Sequence, residues 1–234
     1  MRDRFSSAIA LENARGLVAV IPDIKCISPK DGDLLRGRNA VAVSRQLVSY
    51  GAPLLSVVTE REHFGGSPKL LFSVTQAVEV PVLRKDFVTS VDMLQETVDL
   101  GASAVLLICA ITDEKTLALL YEKAIDLGLE PLVEVSSEKE MRLASRLEAR
   151  LIGINNRDIT AFERDGNGPQ RTIELAKYAP KGALLISESG IMSSNDAKRV
   201  ASAGVSAILV GTILWQARDM GEMYRLLQVE RSIS

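Results

Sequence analysis

Charged side chains follow several short apolar segments of this 234-residue sequence. Asp23 and Lys25 stand at the end of the first segment, Lys85 follows the third, and Glu134 lies in the fifth. Residues two apart on a strand point to the same face, so Asp23 and Lys25 share a face if their segment is a strand. If these faces point inward, two ammonium groups and two carboxylates converge. Such a cluster can bind an anion, donate one proton and accept another.

A second set of residues combines glycine with hydroxyl side chains. Ser189 and Gly190 follow the seventh apolar segment, and Gly211 and Thr212 stand at the end of the eighth. Glycine lets the backbone approach a ligand closely, and bare N–H groups can then hold phosphate oxygens. Ser28, which follows the first segment, is a further candidate donor. Together these residues predict a phosphate-binding site.

Eight short, unbroken apolar segments must position these residues. Such segments are typical of strands in a parallel sheet covered on both faces, and helical spacing of apolar residues marks the stretches between them. Eight units predict an α/β fold, a single (β/α)8 TIM barrel of the phosphate-binding type over 1–234, with a shortened amino-terminal extension over 1–16. An open, doubly wound sheet is the alternative. The segments are LVAVI (17–21), PLLSVV (53–58), VPVL (80–83), AVLLIC (104–109), PLVEV (131–135), LIGIN (151–155), ALLIS (183–187) and AILVG (207–211).

The polar residues gather at one end of these segments. Asn155 ends the sixth segment and Glu188 follows the seventh, whereas the opposite ends carry mostly Gly, Ala, Pro and Leu. Barrel enzymes place their active sites at the carboxyl ends of the strands. The asymmetry therefore predicts an active site at that end, with ERDGNGPQ (163–170) as a long loop beside it.

Composition excludes several classes of function. The formal charge is −2, with both signs mixed along the chain, which disfavours a nucleic-acid surface or a basic membrane anchor. No segment approaches the roughly 20 apolar residues that span a bilayer, and the amino terminus lacks the apolar core of a signal peptide, so we expect a cytoplasmic protein. Cys26 and Cys109 do not form a disulfide framework. His63, the one histidine, is interpreted as a solvated loop residue, and no metal site is predicted.

These motifs together resemble the indole-3-glycerol phosphate synthase family of tryptophan biosynthesis. The resemblance implies a phosphate-binding barrel without metal or organic cofactor, and the family precedent favours a monomer. The implied reaction closes the pyrrole ring of 1-(2-carboxyphenylamino)-1-deoxyribulose 5-phosphate and releases carbon dioxide and water. The matching segments are DIKCISP (23–29), SVVTEREHFGGS (56–67), PVLRKDF (81–87), LVEV (132–135), GINNRD (153–158), SESGI (187–191) and LVGT (209–212).

The resemblance also implies roles for individual residues. Lys85 matches the general acid that protonates the ribulose carbonyl, and Glu134 matches the base of the later dehydration. Lys25 matches a lysine near the anthranilate carboxylate, and Glu188 matches an active-site carboxylate. The remaining matches are Asn155 and Arg157 as residues that position the substrate and the catalytic groups, Phe64 and Phe87 as apolar walls around the anthranilate ring, and Ser28, Ser189, Gly190, Gly211 and Thr212 as phosphate contacts.

The sequence departs from the family pattern at its first motif and at its amino terminus. The family usually has Glu where Asp23 stands and a basic residue where Cys26 stands. We expect Asp23 to orient Lys25 through charge-assisted hydrogen bonds. The short extension predicts a more open active face or a different substrate. The alternatives are a related barrel acting on another phosphorylated sugar or anthranilate derivative, such as a phosphoribosylanthranilate isomerase, and a paralogue that only binds such a phosphometabolite.

Overall fold

The computed structural model describes residues 4–157 and 168–231. Eight parallel strands close into a barrel, and helices lie between successive strands, as the eight apolar segments predicted. The barrel strands are β1 (Ala19–Ile24), β4 (Leu55–Val58), β5 (Val82–Lys85), β6 (Ala104–Ile108), β7 (Glu130–Val135), β8 (Leu151–Asn155), β9 (Leu184–Glu188) and β10 (Ala207–Val210).

The helices alternate with these strands. After β1 the chain makes a small antiparallel hairpin of β2 (Ile27–Ser28) and β3 (Gly32–Asp33) before the first helix between barrel strands. The α-helices are α1 (Arg4–Ala14), α2 (Ala40–Ser49), α3 (Pro68–Thr75), α4 (Val91–Asp99), α5 (Glu114–Asp126), α6 (Glu138–Arg146), α7 (Gln170–Leu175), α8 (Ser194–Ser202), α9 (Thr212–Gln216) and α10 (Met220–Leu227). In the described part of the chain, none of these helices combines the length and apolar character needed to cross a membrane.

Strand β1 differs from its sequence prediction because its neighbours set its bounds. The apolar segment predicted residues 17–21, whereas the strand covers Ala19–Ile24 and includes Pro22. Its first part pairs with β10, and the pairing then passes to β4, where Asp23 lies opposite Ser56. This stagger extends the strand into its charged end, so Asp23 belongs to the barrel wall.

Two apolar layers hold the barrel together. Alternate side chains of the strands point inward, and Leu83, Leu132 and Leu106 belong to this interior cluster. The other side chains form a larger layer between the strands and the surrounding helices. Because Leu83 and Leu132 point inward, Lys85 and Glu134, two residues further along the same strands, share that face above the packed interior.

Helix α1 closes the barrel at the amino-terminal ends of the strands. Phe5 and Ile9 are fully buried in the interior cluster. The carboxylate of Glu130, at the start of β7, accepts hydrogen bonds from the backbone N–H groups of Phe5 and Ser6. An acidic group is favourable at a helix amino terminus, where N–H groups lack intrahelical partners. The extension predicted over 1–16 therefore contains a helix that closes the barrel at the end opposite its polar residues.

The long loop predicted over 163–170 lies mostly outside the described residues. Gly168 and Pro169 form a turn that leads into α7 at Gln170. Gly168 also approaches the end of β9, because a Cβ on Gly190 would lie 2.7 Å from the Gly168 carbonyl oxygen.

Candidate active site

A cleft at the carboxyl ends of the barrel strands contains most of the residues singled out in the sequence. One part has a volume of about 540 Å³, including space open to solvent, and a second part continues from it. The residues Asp23, Lys25, Lys85, Arg157 and Ser189 line both parts. The predicted residues that line the first part alone are Phe64, Phe87 and Asn155, and those that line the second part alone are Gly190, Gly211 and Thr212.

Lys85 lies between two buried carboxylates at the base of the cleft. Its Nζ is 2.8 Å from Glu188 Oε2 and 3.3 Å from Glu134 Oε2. The Glu188 and Glu134 side chains are almost fully buried, whereas that of Lys85 keeps 18% of its surface exposed. The ammonium group is therefore paired from below and accessible from the cleft.

This arrangement shifts the protonation equilibria of the cluster. Burial alone would lower the pKa of Lys85, but the carboxylates of Glu188, Glu134 and Asp23 raise it well above its ordinary value. Burial raises the pKa of Glu188 to about 7, with Lys85 opposing the rise and Glu134 and Asp23 adding to it. Lys85 is consequently an ammonium at neutral pH, and Glu188 titrates near neutrality.

Gly153 provides the space that Glu188 occupies. A Cβ on Gly153 would overlap Glu188 Oε1 and would lie 3.0 Å from Glu188 Cδ. The same Oε1 atom is buried and makes no hydrogen bond to any described residue. Glu188 therefore has one oxygen on Lys85 and the other in a pocket that exists because residue 153 has no side chain.

Asp23 and Lys25 lie on the β1 side of the cleft. Asp23 Oδ1 accepts a hydrogen bond of 2.7 Å from the Ser56 hydroxyl, and the Asp23 carbonyl accepts one of 2.9 Å from Trp215 Nε1. Lys25 Nζ lies 5.3 Å from the centre of the Phe64 ring, within the range of a cation–π interaction. The predicted shared face of Asp23 and Lys25 is therefore observed in the cleft.

Asn155 and Arg157 contribute polar groups from the end of β8. The Arg157 backbone N–H donates a 3.0 Å hydrogen bond to Asn155 Oδ1, and Arg171 donates one of 2.9 Å to the Asn155 carbonyl. Both predicted residues are more than nine-tenths buried yet line the cleft. These hydrogen bonds hold the Asn155 side chain and the backbone at Arg157.

The phosphate-binding residues predicted after β9 and β10 lie together in the second part of the cleft. Ser189 and Gly190 adopt left-handed backbone conformations, with φ of 61° and 72°. Gly211 passes close to β1, since a Cβ there would lie 3.3 Å from Asp23 Cβ. Thr212, predicted at the end of the last strand, begins α9 instead.

Ser28 is placed differently from the other predicted phosphate contacts. It is buried in the β2–β3 hairpin, where its hydroxyl donates a 3.0 Å hydrogen bond to Asp31 Oδ2 and accepts from the Asp31 backbone N–H. The neighbouring Lys30 lines an outer pocket together with Gly190 and Thr212. The hairpin thus lies beside the second part of the cleft, although the Ser28 hydroxyl is used within it.

Asp86 also lines the cleft, although it is not among the site residues predicted from the sequence. Its Oδ2 accepts hydrogen bonds from Thr59 at 2.5 Å and from Arg84 at 3.1 Å, and its Oδ1 accepts one from the Phe87 N–H at 2.8 Å. Asp86 and the fully buried Arg84 therefore hold the turn that presents Phe87. The sequence does contain an indication of this role, because Arg84 and Asp86 flank Lys85 directly.

Glu60 also lines the cleft, and with Glu62 and His63 it places three potential metal-ligand atoms within 4.8 Å of one another. The Glu60 carboxylate accepts hydrogen bonds from the backbone N–H groups of Glu62, His63 and Phe64. Burial would raise the pKa of Glu60, but these bonds and one from the His63 ring lower it below its ordinary value. The carboxylate thus holds the turn that carries Phe64.

Comparison with known proteins places this cleft in a family. Residues 2–227 match the model of the indole-3-glycerol phosphate synthase family. A protein of that name from Thermococcus kodakarensis is 41% identical over 213 residues, covering 91% of this chain and 93% of that protein. Those from Pyrococcus furiosus and Geobacillus kaustophilus are 40% and 38% identical, covering 88% and 98% of this chain and 90% and 88% of their own. The chain therefore belongs to the indole-3-glycerol phosphate synthase family.

Proposed function

We propose that this protein is an indole-3-glycerol phosphate synthase, a carboxy-lyase that acts on 1-(2-carboxyphenylamino)-1-deoxyribulose 5-phosphate. The observation that supports this activity most directly is the position of Lys85, which contacts Glu188 at 2.8 Å and Glu134 at 3.3 Å in the cleft of a chain from this family. The reaction needs an acid, a base and an anion site, and it involves no net oxidation or reduction.

Lys85 is the general acid in this proposal. As the carboxylate-bearing ring carbon attacks the ribulose carbonyl, the carbonyl oxygen gains negative charge and takes a proton from the Lys85 ammonium. The surrounding carboxylates keep Lys85 charged at neutral pH, so Lys85 already carries the proton that it donates when the substrate binds. Loss of carbon dioxide then returns the bonding electrons to the ring.

Glu134 is the base in the dehydration that follows. The hydroxyl group leaves as water after a second protonation, and Glu134 removes one proton from carbon to form the pyrrole double bond. The 3.3 Å contact between Glu134 Oε2 and Lys85 Nζ offers a route to return that proton to the acid. Overall one proton is taken from solvent, which balances the carboxylate lost as carbon dioxide.

The first part of the cleft suits the anthranilate moiety. Lys25 supplies positive charge for its carboxylate, with Asp23 as the orienting partner, and Phe64 and Phe87 form apolar walls for its ring. Phe64 lies beneath the Lys25 ammonium at 5.3 Å, so charge and ring surface occur side by side. Glu188 holds Lys85 in place, and Asn155 and Arg157 position the groups of the substrate.

The second part of the cleft suits the phosphate group. Ser189, Gly190, Gly211 and Thr212 would supply backbone and hydroxyl donors. Ser28 would act as a further donor only if its hydroxyl turned from Asp31, so its proposed contribution depends on a rearrangement of the hairpin.

We further propose that the protein is a monomeric, single-domain enzyme of the cytoplasm. Light scattering after gel filtration tests the monomeric state.

The alternative of an isomerase-like barrel is less well supported. It would need an acid–base pair after the first and sixth barrel strands, and the sixth, β8, ends in the amide Asn155. The curated relatives named above carry the synthase name throughout.

The proposed activity is tested with the ring-closure substrate, following the product by its indole absorbance or fluorescence. Lys85→Ala and Glu134→Gln should each remove nearly all turnover, because a placed acid or base contributes about 100- to 10,000-fold in rate. Lys139→Ala, which removes an exposed lysine from α6, is the control and should keep the wild-type rate. Wild-type turnover in either active-site variant would refute the role of that residue, and no product from the wild-type protein would refute the synthase activity.

A further inference from the structure

Asn156 has a set of buried hydrogen bonds that the mechanism above does not use. It follows β8 and keeps 6% of its surface exposed. Its Nδ2 donates to Ser187 Oγ at 3.1 Å, to the Glu188 carbonyl at 2.9 Å and to the Ser189 carbonyl at 3.0 Å. One amide group thus contacts three consecutive residues at the end of β9.

The other groups of Asn156 extend this network to α7. Its Oδ1 accepts a 2.8 Å hydrogen bond from the Thr172 backbone N–H, and its own backbone N–H donates to the Glu188 carbonyl at 2.9 Å. The hydroxyl groups of Thr172 and Ser187 lie 2.8 Å apart and complete the network. The side chain therefore joins β8, β9 and α7 at one point, with its donor and acceptor groups both used.

The turn held by Asn156 has an unfavourable backbone conformation. Ser189 has a φ of 61°, a left-handed value that residues with a side chain rarely adopt, and Gly190 follows at 72°. Ser189 also lines both parts of the cleft. A residue held in such a conformation persists only where its surroundings determine it, and the bond from Asn156 to the Ser189 carbonyl is one such determinant.

We propose that Asn156 is a positioning residue that holds the Ser189–Gly190 turn in its left-handed conformation, so that the backbone N–H groups for the substrate phosphate are in place before binding. The inference rests on the proposed function, because it assumes that phosphate binds at this turn. A preformed anion site loses less conformational freedom on binding. Loss of the Asn156 hydrogen bonds should therefore weaken phosphate binding more than it slows the chemistry at Lys85.

The first test uses inorganic phosphate as the probe, with its affinity measured by calorimetry. Asn156→Ala should weaken phosphate binding by roughly tenfold or more, the loss expected when a hydrogen bond to a charged group is no longer well placed. Asn156→Leu, which is close to Asn in volume and lacks the N–H donors without adding a charge, should have the same effect and replaces the alanine variant if that protein does not fold. Ser44→Ala, which removes a buried hydroxyl from α2, is the matched control and should bind phosphate like the wild type.

The second test distinguishes positioning from a general loss of stability. Ser189→Gly removes the side chain that disfavours the left-handed conformation, so the double variant Asn156→Ala/Ser189→Gly should recover part of the lost phosphate affinity. In steady-state assays Asn156→Ala should raise KM more than it lowers kcat. Unchanged phosphate affinity in Asn156→Ala, or no recovery in the double variant, overturns the inference. A wild-type protein that binds phosphate but forms no product would instead refute the synthase activity alone.

Discussion

The substitution Gly153→Ala tests the catalytic arrangement without removing a polar group. A Cβ at this position would overlap Glu188 Oε1 and lie 3.0 Å from Glu188 Cδ. Carbon atoms in contact stand about 3.5 to 4.0 Å apart, and the overlap with Oε1 is closer than the contact with Cδ, so the carboxyl group has to retreat by about 1 Å or more. Because Glu188 is fully buried in a close-packed barrel, its neighbours have to move with it.

This retreat acts on the ion pair with Lys85. Lys85 Nζ lies 2.8 Å from Glu188 Oε2, and the displacement would carry the pair out of good hydrogen-bonding distance. A misplacement of about 1 Å in an active site can cost about 100-fold in rate, so we expect kcat to fall by about 10- to 100-fold. Overpacking a barrel interior should also lower the free energy of unfolding by about 1 to 3 kcal/mol.

Steady-state formation of the indole product measures the first effect, and urea unfolding measures the second. The double variant Gly153→Ala/Glu188→Asp is the control, because the shorter side chain makes room for the new methyl group. It should recover stability without recovering the rate. A Gly153→Ala protein with wild-type stability would refute the packing of Glu188 on Gly153, and one with a wild-type rate would refute the need for the Lys85–Glu188 pair.

Three further predictions concern buried charged groups. Arg84→Met should lower the free energy of unfolding in urea by about 3 kcal/mol, because it removes a buried guanidinium paired with carboxylates. Glu130→Ala should cost about 1 kcal/mol and speed amide hydrogen exchange at the start of α1, because the helix loses its acceptor there. Burial raises the pKa of Glu188 from 4.5 to about 7, so between these values the folded protein binds more protons than the unfolded chain. Between these two pH values, the free energy of unfolding of the wild type should therefore fall with rising pH relative to that of Glu188→Gln.

Each of these predictions has a distinguishing outcome. Arg142→Met, which alters an exposed arginine on α6, should change stability by less than about 0.5 kcal/mol, and an equal loss in Arg84→Met and Arg142→Met would contradict the first. Exchange in α1 that is unchanged in Glu130→Ala would contradict the second. For Glu188, parallel stability curves of the wild type and Glu188→Gln from pH 4.5 to 7 would contradict the third, because a shifted pKa has to separate them.

The site was predictable to the extent that it depends on strand ends. Lys85, Glu134 and Glu188 could be placed together from sequence because parallel strands in a barrel end on one rim, and side chains two residues apart share a face. Ser28 could not be placed in the same way. It lies in a hairpin whose own hydrogen bonds use its hydroxyl, and that hairpin is set by local turn contacts that apolar periodicity does not reveal.

Residues without a reactive group can still determine the geometry of the site. Gly153 carries no functional group, yet its missing side chain is the reason that Glu188 fits beside Lys85. Asn156 was visible in the GINNRD motif, but its importance depends on contacts with residues about 30 positions later. A pattern of residue types identifies groups that can react, whereas it does not identify the groups that hold them.

The sequence by itself determined the number of strand–helix units, the barrel and the end at which its polar groups collect. These features follow from local composition and periodicity. The tertiary structure alone decided the register that sets Asn155 opposite Glu188 and Glu134 opposite Gly153. It also decided that α1 closes the far end through Glu130. The physical reason is that hydrogen bonding and packing between residues distant in the chain depend on how the closed barrel staggers its strands, which no single segment specifies.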